Sequence, residues 1–295
     1  MANVLITGAN GGFGRLAVQE LLDRDHAVVA TMRDTTGRNA VAARDLTDLG
    51  AIVEDLDVTA QDSVDRAVAA AISQLGYLDA VVNNAGVGTL GVQEAFTADD
   101  WRRLFDVNVF GVQRVVRAVS PHFRQRRTGL ILQISSLLGR VALPFYGPYN
   151  ASKWALEGMT ESYRVELAGF GVDVAIVEPG GYPTTFVEGL MRPSDTRRTA
   201  DLAAMSAAAD RMLEGFEQTM AGNPAQDPRA VTAAIAKVIE TPAGRRPFRT
   251  VVDFLGMGDR IRPYNDQLET LTDGLYTAFG IGHMRRLATG AEGKG

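Results

Sequence analysis

The sequence predicts a doubly wound α/β fold, in which helices cover both faces of one parallel sheet of about seven strands. Short apolar runs alternate along the chain with longer amphipathic segments. The runs are almost continuously apolar, as expected for strands that are buried on both faces. Repeated strand–helix units with right-handed crossovers place such strands in a single parallel sheet.

Seven apolar runs are the predicted strands, and they span residues 4–7, 27–32, 51–57, 78–83, 130–135, 172–178 and 248–254. Amphipathic periodicity predicts crossover helices over residues 12–24, 62–74, 99–124, 148–168 and 227–240. With 295 residues and 46% hydrophobic content the chain can bury one large core, and no segment has the composition of a flexible linker. We therefore expect a single domain over 1–295, with a cofactor-binding and catalytic core (1–190), a substrate lid (191–225), and a helix, last strand and helical extension (226–295).

Composition argues against several classes of function. Thirty basic and thirty-five acidic residues give a net charge of −5 without a long block of like charge, so a nucleic-acid partner is not expected. The chain has no cysteine and only three histidines, which disfavours thiol chemistry and a metal site. The N-terminus carries neither an export signal nor a long apolar stretch, so we expect a cytoplasmic protein without a membrane partner.

A glycine-rich turn, Thr7-Gly8-Ala9-Asn10-Gly11-Gly12-Phe13-Gly14, follows the first predicted strand and precedes a helix. Glycines let the backbone approach a pyrophosphate, whose charge is stabilised by free N–H groups and the positive end of the helix dipole. This position favours dinucleotide binding by Gly8, Asn10, Gly12, Phe13 and Gly14. The alternative is a purely structural turn.

The end of the second strand, Met32-Arg33-Asp34, should lie beside the adenosine ribose of such a cofactor. An acidic residue there accepts a hydrogen bond from a free 2′-hydroxyl, whereas an arginine binds a 2′-phosphate. Because Arg33 comes first and Met32 stands where an NAD-selecting acid is expected, the sequence favours NADP(H) over NAD(H). Alternatively, Arg33 is a solvated charge and Asp34 contacts the ribose.

Two further strand ends bring polar or small residues to the same edge of the sheet. Asp57-Val58 suits contact with the adenine, although Asp57 is also a good helix cap. Asn84-Ala85-Gly86 suits packing against the ribose, or else forms a plain turn.

The most informative segment is Tyr149-Asn150-Ala151-Ser152-Lys153, in the first turns of a predicted helix. Residues four apart share a helix face, so the phenol and the ammonium point into the same space unless they are an exposed surface pair. A free phenol has a pKa near 10, and we expect Lys153 to lower the pKa of Tyr149. Ser136 ends a strand thirteen residues earlier and brings a hydroxyl that can hold a substrate oxygen while Tyr149 transfers a proton.

Asn108 is a polar side chain in an otherwise apolar helical stretch. A buried amide needs hydrogen-bond partners, either structural groups or a water that relays protons. On the residues alone, the structural role is favoured.

Together these motifs resemble the short-chain dehydrogenase/reductase superfamily over residues 3–190. The family's T-G-x-x-x-G-x-G, N-A-G, S…Y-x-x-x-K and P-G-x-x-x-T motifs are matched by Thr7, Gly8, Gly12 and Gly14, by Asn84-Ala85-Gly86, by Ser136, Tyr149 and Lys153, and by Pro179-Gly180-Gly181-Tyr182-Pro183-Thr184. Asp57 matches its adenine-side acid and Asn108 its helix asparagine. The pair Asn10-Gly11 departs from NADP-preferring members, which often carry a basic residue there.

The resemblance implies a Rossmann-type fold and hydride transfer between a nicotinamide cofactor and a ketone, aldehyde or alcohol. It implies that Tyr149 is the general acid/base, that Lys153 also holds the nicotinamide ribose, and that Asn108 positions a relay water. Pro179, Gly180 and Thr184 would flank the nicotinamide. Arg33 and the Glu178-Pro179-Gly180-Gly181 segment resemble the 17β-hydroxysteroid-dehydrogenase-like group, which tends toward NADP(H). The predicted helices over 99–124 and 148–168 resemble the family's oligomer surfaces, so we expect a homodimer or homotetramer.

Apolar side chains near the motifs predict a pocket for a lipophilic substrate, unless at least half of them pack in the core. They are Leu137, Leu138, Leu143, Phe145, Tyr146 and Phe186. Two other functions stay open. One is a non-catalytic NADP(H) sensor, which an intact Ser-Tyr-Lys set disfavours, and the other is a dehydratase or epimerase that uses bound nicotinamide.

Overall fold

Seven parallel strands form one continuous sheet in the order β3-β2-β1-β4-β5-β6-β7. The structure is a computed structural model that describes residues 1–288, so residues 289–295 of the predicted extension lie outside the described residues. The strands are β1 (Asn3–Thr7), β2 (Ala27–Met32), β3 (Ile52–Asp55), β4 (Ala80–Asn83), β5 (Gly129–Ile134), β6 (Val172–Pro179) and β7 (Arg249–Val252). The predicted fold class, a doubly wound parallel sheet of about seven strands, is confirmed.

Helices connect the strands and cover both faces of the sheet. They are α1 (Gly12–Leu22), α2 (Ala40–Asp48), α3 (Gln61–Leu75), α4 (Ala98–Phe105), α5 (Val112–Arg126), α6 (Gly147–Ala168), α7 (Thr196–Asp201), α8 (Ala203–Ala221), α9 (Arg229–Glu240) and α10 (Gly258–Ala278).

The winding direction reverses between β1 and β4, which are neighbours in the sheet. Val4 of β1 lies opposite Val28 of β2 on one side and Ala80 of β4 on the other. The connections that follow β1 and β4 therefore lead away in opposite directions. They leave a crevice at the carboxyl ends of the two strands, which is where open α/β sheets bind their ligands.

Alternate residues of β1 enter two different hydrophobic cores. Val4 and Ile6 pack with side chains of α1 and α9, whereas Leu5 packs with side chains of α3 and α5. All three are fully buried. Because both faces are covered, the strand needs an apolar residue at every position, and this explains its continuous apolar pattern.

The predicted helix over 99–124 is divided by a π-helical segment, Asp106–Gly111, which separates α4 from α5. Gly111 lets this segment approach the chain beyond β3 closely, since a Cβ atom there would lie 2.9 Å from Cβ of Val58. A π-helical turn accommodates one extra residue and is frequent at functional sites. Apolar periodicity alone did not predict the interruption.

Helix α2 was not predicted, because only Ala43 and Leu46 of its nine residues are buried and they give little periodic signal. The predicted lid over 191–225 is itself helical and contains α7 and α8. In the described part of the extension, the long helix α10 is followed by a short 3-10 helix, Gly282–Arg285. Among residues 1–288, no helix is both long and apolar enough to cross a bilayer.

Phe123 of α5 is fully buried, and its ring lies directly against Gly129 at the start of β5. We predict that Phe123→Ala lowers the free energy of unfolding by about 3–5 kcal/mol, because it removes buried apolar area and leaves a cavity. Urea unfolding measures the change. Phe279→Ala is the control, since Phe279 is 69% exposed and its loss should change stability by less than about 0.5 kcal/mol. Equal losses would contradict this assignment of the core.

Candidate active site

The carboxyl ends of the central strands open into a cavity of about 790 Å³. The structure brings most of the predicted site residues to its wall: Gly8, Asn10, Gly12, Phe13, Arg33, Asp57, Val58, Asn84, Ala85, Gly86, Ser136, Tyr149, Lys153, Pro179, Gly180 and Thr184. Two predicted residues, Gly14 and Asn108, lie behind the wall and support it.

The glycine-rich turn is clamped to the end of β4. Gly8 has a φ of +69°, and a Cβ atom there would lie 2.8 Å from Cα of Ala85, so only glycine fits. The amide of Asn84 donates to the carbonyls of Thr7 at 3.0 Å and Gly8 at 3.1 Å. A side chain at Gly14 would collide with this same carbonyl of Gly8. The hydrogen bonds and close contacts with the end of β4 therefore fix the backbone conformation of the turn.

The turn after β6 faces the glycine-rich turn across the cavity. A Cβ atom on Gly11 would lie 3.1 Å from Oγ1 of Thr185, and one on Gly12 would lie 3.9 Å from Cβ of Thr184. Gly11 is the N-cap residue of α1 and has no side chain that could cap the helix. The N–H groups of the first helical turn therefore stay available as donors to a ligand. Backbone N–H groups and threonine hydroxyls on opposite walls suit an anionic group such as a pyrophosphate.

Arg33 lines the cavity together with two residues that sequence reasoning missed, Arg38 and Asn39. Asp34 does not line it. The backbone of Asp34 has a φ of +56°, and its carboxylate accepts a hydrogen bond from the Arg38 N–H at 2.9 Å. The acid therefore stabilises its own loop, while the two arginines remain at the cavity. The second arginine in the turn after β2 was the signal that could have revealed Arg38.

Asp57 lies at the same end of the cavity and does not cap α3. Its Oδ1 accepts from the N–H of Thr59 at 2.9 Å and from the Thr59 hydroxyl at 2.7 Å. Partial burial disfavours the charged form, but the hydrogen bonds from Thr59 and the positive charges of Arg33 and Arg38 outweigh it and lower the pKa of Asp57. An ionised acceptor therefore sits beside the two arginines.

Ser136, Tyr149 and Lys153 meet at the other end of the cavity, and each is less than one-tenth exposed. Ser136 lies two residues beyond the end of β5, and its hydroxyl hydrogen-bonds to the Tyr149 phenol, which by itself favours a lower pKa of Tyr149. The ammonium of Lys153 donates to the carbonyl of Ile134 at 2.8 Å and lies 5.6 Å from the centre of the Tyr149 ring. Residues four apart on α6 thus share one face, as the spacing predicts.

Burial dominates the ionisation of this group. It raises the pKa of Tyr149 above its ordinary value of 10, and the Ser136 hydroxyl offsets only part of that rise. Burial also lowers the pKa of Lys153 to about 8, against the opposing influence of Glu157. We expected Lys153 to lower the pKa of the phenol, but without bound ligand the pKa of Tyr149 lies above its ordinary value. At neutral pH Tyr149 holds a proton that it can donate.

Asn108 lies in the π-helical segment and is 1% exposed. Its Oδ1 accepts from the Val87 N–H at 2.9 Å, and its Nδ2 donates to the Val87 carbonyl at 2.8 Å and to the Ser152 hydroxyl at 3.0 Å. The Asn108 side chain thus connects the chain beyond β4 to helix α6. This is the structural role that the residues alone favoured, and a water relay at Asn108 stays a prediction.

Apolar side chains form the rest of the cavity wall. Of the predicted pocket residues, Leu137, Leu138, Leu143, Tyr146 and Phe186 line it. Phe145 does not, and its prediction was wrong. It occupies a bend with a φ of +68°, where its carbonyl accepts from the Gly91 N–H.

Helix α8, in the segment predicted to be a lid, forms one side of the cavity, and its residues were not identified from the sequence. Those that line the cavity are Met212, Leu213, Phe216, Thr219 and Met220. The spacing of Met212, Phe216 and Met220 at every fourth position was a helical signal that could have found them. A Cβ atom on Gly181 would overlap the ring of Phe216, so this glycine lets α8 approach the turn after β6.

Comparisons with known proteins agree with this geometry. The short chain dehydrogenase family model matches residues 2–194. The 3-ketodihydrosphingosine reductase of Bacteroides thetaiotaomicron is 34% identical over 84% of this chain and 87% of its own length. Retinol dehydrogenase 8 of Bos taurus is 36% identical over 83% and 80% of the two chains. The 17-beta-hydroxysteroid dehydrogenase type 1 of Mus musculus is 36% identical over 81% and 70%.

Solved structures show the same fold with nicotinamide cofactors bound. A short chain dehydrogenase/reductase from Burkholderia phymatum in complex with NAD has a TM-score of 0.74 and 28% identity, covering 91% of this chain and 95% of its own. A closed form of serine dehydrogenase complexed with NADP+ has a TM-score of 0.70 and 25% identity, covering 86% and 97%. The expected resemblance, including that to the 17β-hydroxysteroid-dehydrogenase-like group, is confirmed. This chain belongs to the short-chain dehydrogenase/reductase family and is an oxidoreductase.

Proposed function

We propose that the protein is an NADP(H)-dependent oxidoreductase that interconverts a lipophilic ketone or aldehyde with the corresponding alcohol. The observation that carries the proposal is the convergence of Ser136, Tyr149 and Lys153 at one end of a cavity whose other end is formed by the glycine-rich turn and Arg33. A proton donor and a dinucleotide site in one cavity are the two requirements of carbonyl reduction.

The residues of this cavity fit a nicotinamide dinucleotide. Gly8, Gly12 and the uncapped start of α1 would hold the pyrophosphate, with Asn10 and Phe13 beside it. Asp57, Val58 and the Asn84-Ala85-Gly86 segment would line the adenosine half. Pro179, Gly180, Thr184 and Lys153 would hold the nicotinamide half. When bound, the cofactor supplies hydride transfer.

The chain's own residues supply the proton chemistry. The Ser136 hydroxyl would orient the substrate carbonyl, and Tyr149 would donate its proton to the carbonyl oxygen as charge develops there. Burial keeps the phenol protonated, so Tyr149 can act as the proton donor when a carbonyl is reduced. Lys153 would hold the ribose and, as an ammonium, stabilise the tyrosinate left after proton transfer.

Two arginines support NADP(H) as the cofactor. Arg33 and Arg38 both line the cavity, and their charges act on Asp57 at its adenosine end. The carboxylate of Asp34, which would disfavour a 2′-phosphate, is engaged with the Arg38 N–H away from the cavity. Arginine binds phosphate with two parallel hydrogen bonds.

The lid supports a lipophilic substrate. The ring of Phe186 lies 5.7 Å from the ring of Tyr149, and α8 adds methionine and phenylalanine side chains to the wall. The names of three relatives refer to a ketodihydrosphingosine, a retinol and a hydroxysteroid, which are all largely apolar molecules. A mostly apolar wall with few polar groups selects by shape and hydrophobic area.

A homodimer or homotetramer is part of the proposal. Phe110 in the π-helical segment is 53% exposed and Trp154 on α6 is 45% exposed, and these two segments pack side by side. Large exposed aromatic side chains are enriched in interfaces. Analytical sedimentation that finds only monomer would contradict the proposed oligomer.

The function is tested by following the absorbance of reduced cofactor across a panel of ketones, aldehydes and alcohols of increasing hydrophobic area, with NADPH and NADH in parallel. Net consumption of NADPH with lipophilic carbonyls supports the proposal. Product formed without net consumption indicates internal redox chemistry, and binding without turnover of any compound indicates a sensor.

Tyr149→Phe should lower kcat by about a thousandfold or more, since the variant keeps the ring but loses the proton donor. Cofactor affinity, measured by titration of protein fluorescence, should stay within about twofold. Tyr163→Phe is the matched control, because Tyr163 lies on the same helix, packs against the core and does not line the cavity. Near-normal turnover by Tyr149→Phe would show that another group is the acid.

Arg33→Ala should weaken NADPH binding by about tenfold or more, because a charged hydrogen bond to phosphate is lost. NADH binding should change much less. Arg66→Ala removes the same charge from the exposed face of α3, outside the cavity, and should alter neither affinity. Equal losses for the two cofactors in Arg33→Ala would exclude Arg33 from the phosphate site.

A further inference from the structure

A buried cluster of charged side chains lies directly behind the catalytic wall. It consists of Arg140, Glu157, Glu161, Glu178 and Arg249, called here the ion cluster. Nε of Arg140 lies 3.1 Å from Glu178, and Nε of Arg249 lies 3.1 Å from Glu157 and 3.5 Å from Glu178. Arg140 also pairs with Glu157, and Arg249 with Glu161. All except Glu161 have side chains less than one-tenth exposed.

Three members of the ion cluster lie within four residues of the proposed catalytic or cofactor-binding residues in the sequence. Arg140 follows Ser136 by four residues, Glu157 follows Lys153 by four residues, and Glu178 immediately precedes Pro179. The pairs of Arg140 with Glu157 and with Glu178 therefore join segments that must be aligned for catalysis, and Arg249 attaches β7 to the same two glutamates. The amide of Asn265, on α10, donates to Glu178 at 2.6 Å and covers the cluster from the C-terminal side.

The turn that carries Ser136 packs onto α6 at Glu157 and Lys153. A Cβ atom on Gly139 would lie 3.1 Å from Cγ of Glu157 and 3.3 Å from the carbonyl of Lys153. The same Cβ atom would lie 2.9 Å from Oγ of Ser135, so a side chain at this position would crowd both the serine turn and α6. The serine turn thus rests on the helical turn that links the lysine to the glutamate.

The ion cluster has two cations and three carboxylates, so it carries an excess negative charge in a place with little solvent. Burial and the nearby charge of Glu157 raise the pKa of Glu178 to about 7, in spite of its pair with Arg140. Glu178 thus absorbs part of the excess by binding a proton near neutral pH. The carboxylate of Glu157, in contact with both arginines, remains the source of negative charge nearest to Lys153 on α6.

We propose that Glu157 is a positioning residue for the Ser136–Tyr149–Lys153 site, which holds the serine turn through Arg140 and keeps Lys153 protonated from one helical turn away. This inference rests on the proposed function, because it assigns a task to the ammonium of Lys153. Glu157 and Lys153 share a face of α6, and opposite charges at that spacing favour each other's ionised form.

The groups that could act on Lys153 come from every element around it. They are Tyr149 and Glu161 on α6, Arg140 beyond β5, Glu178 on β6 and Arg249 on β7, while the π-helical segment and α10 add the uncharged amides of Asn108 and Asn265. Burial lowers the pKa of Lys153, and Glu157 is the group that opposes this most. Glu161 lies one turn further along and is one-quarter exposed, so solvent screens its charge.

The composition of the chain makes a direct test practical. The sequence has only three lysines, Lys153, Lys237 and Lys294. In protein labelled with ¹³C-lysine, the Cε resonances give three titration curves, and Lys237→Arg and Lys294→Arg assign them. The measurement uses the full chain without added ligand, so it does not depend on turnover.

Glu157→Gln should move the midpoint of Lys153 down from about 8 by about one pH unit. The variant leaves two cations and two carboxylates in the ion cluster, so it is expected to fold. Glu161→Gln makes the same chemical change and should leave the midpoint in place. Glu157→Asp, which keeps the charge but withdraws it by one methylene group, should fall between wild type and Glu157→Gln.

An unchanged midpoint in Glu157→Gln, or equal shifts in the two glutamine variants, would overturn the proposal. If only Glu157→Asp folds, a midpoint below that of the wild type supports the proposal and an unchanged one overturns it.

The pH dependence of kcat gives the second readout. If the ammonium is needed, kcat falls as pH rises through the pKa of Lys153, and this limb should move to lower pH in Glu157→Gln by the same amount as the NMR midpoint. A uniform loss of kcat without movement of the limb would indicate a merely structural role and overturn the proposal. Failure of the proposed function is distinguishable, since it would show as normal turnover in Tyr149→Phe whatever the lysine titration gives.

Discussion

The hydrogen bond from the Lys153 ammonium to the Ile134 carbonyl is the interaction on which the active site depends. It spans from the first turns of α6 to the end of β5, at 2.8 Å. An ammonium removed from water needs such an acceptor, because a buried unpaired charge is very unfavourable. The bond therefore fixes the helix that carries Tyr149 relative to the strand that leads into Ser136. Three side chains from two elements acquire one common geometry through it.

Supporting contacts preserve that geometry from behind. Asn108 binds both Val87 and Ser152, so it holds α6 against the chain beyond β4. The ion cluster holds α6 against the serine turn and β6. These groups support Ser136, Tyr149 and Lys153 without lining the cavity themselves. The residues that hold the site in place are therefore different from the residues that form its wall.

Local sequence predicted the residues that follow strands, because an apolar run and the polar residue after it are adjacent in the chain. The glycine turn, Asn84 and Ser136 were found in this way, and the tyrosine–lysine pair was found through its helical spacing. The direction in which a side chain points was harder to predict from the sequence. Asp34 turns away from the cavity and Phe145 occupies a bend, and both outcomes depend on positive φ angles that neighbouring residue types do not specify. The ion cluster was missed because its members come from four distant segments, which only tertiary packing brings together.

The π-helical segment limits how the length of the chain can vary between β4 and β5. An α-helix advances by about 100° per residue, so deletion of one residue from Asp106–Gly111 would rotate everything on one side of it by that angle. Either Asn108 would swing away from Val87 or the buried valines of α5 would leave the sheet. Length changes in this connection are therefore expected in the loops before α4 and after α5, where an added or missing residue leaves the phase of both helices intact.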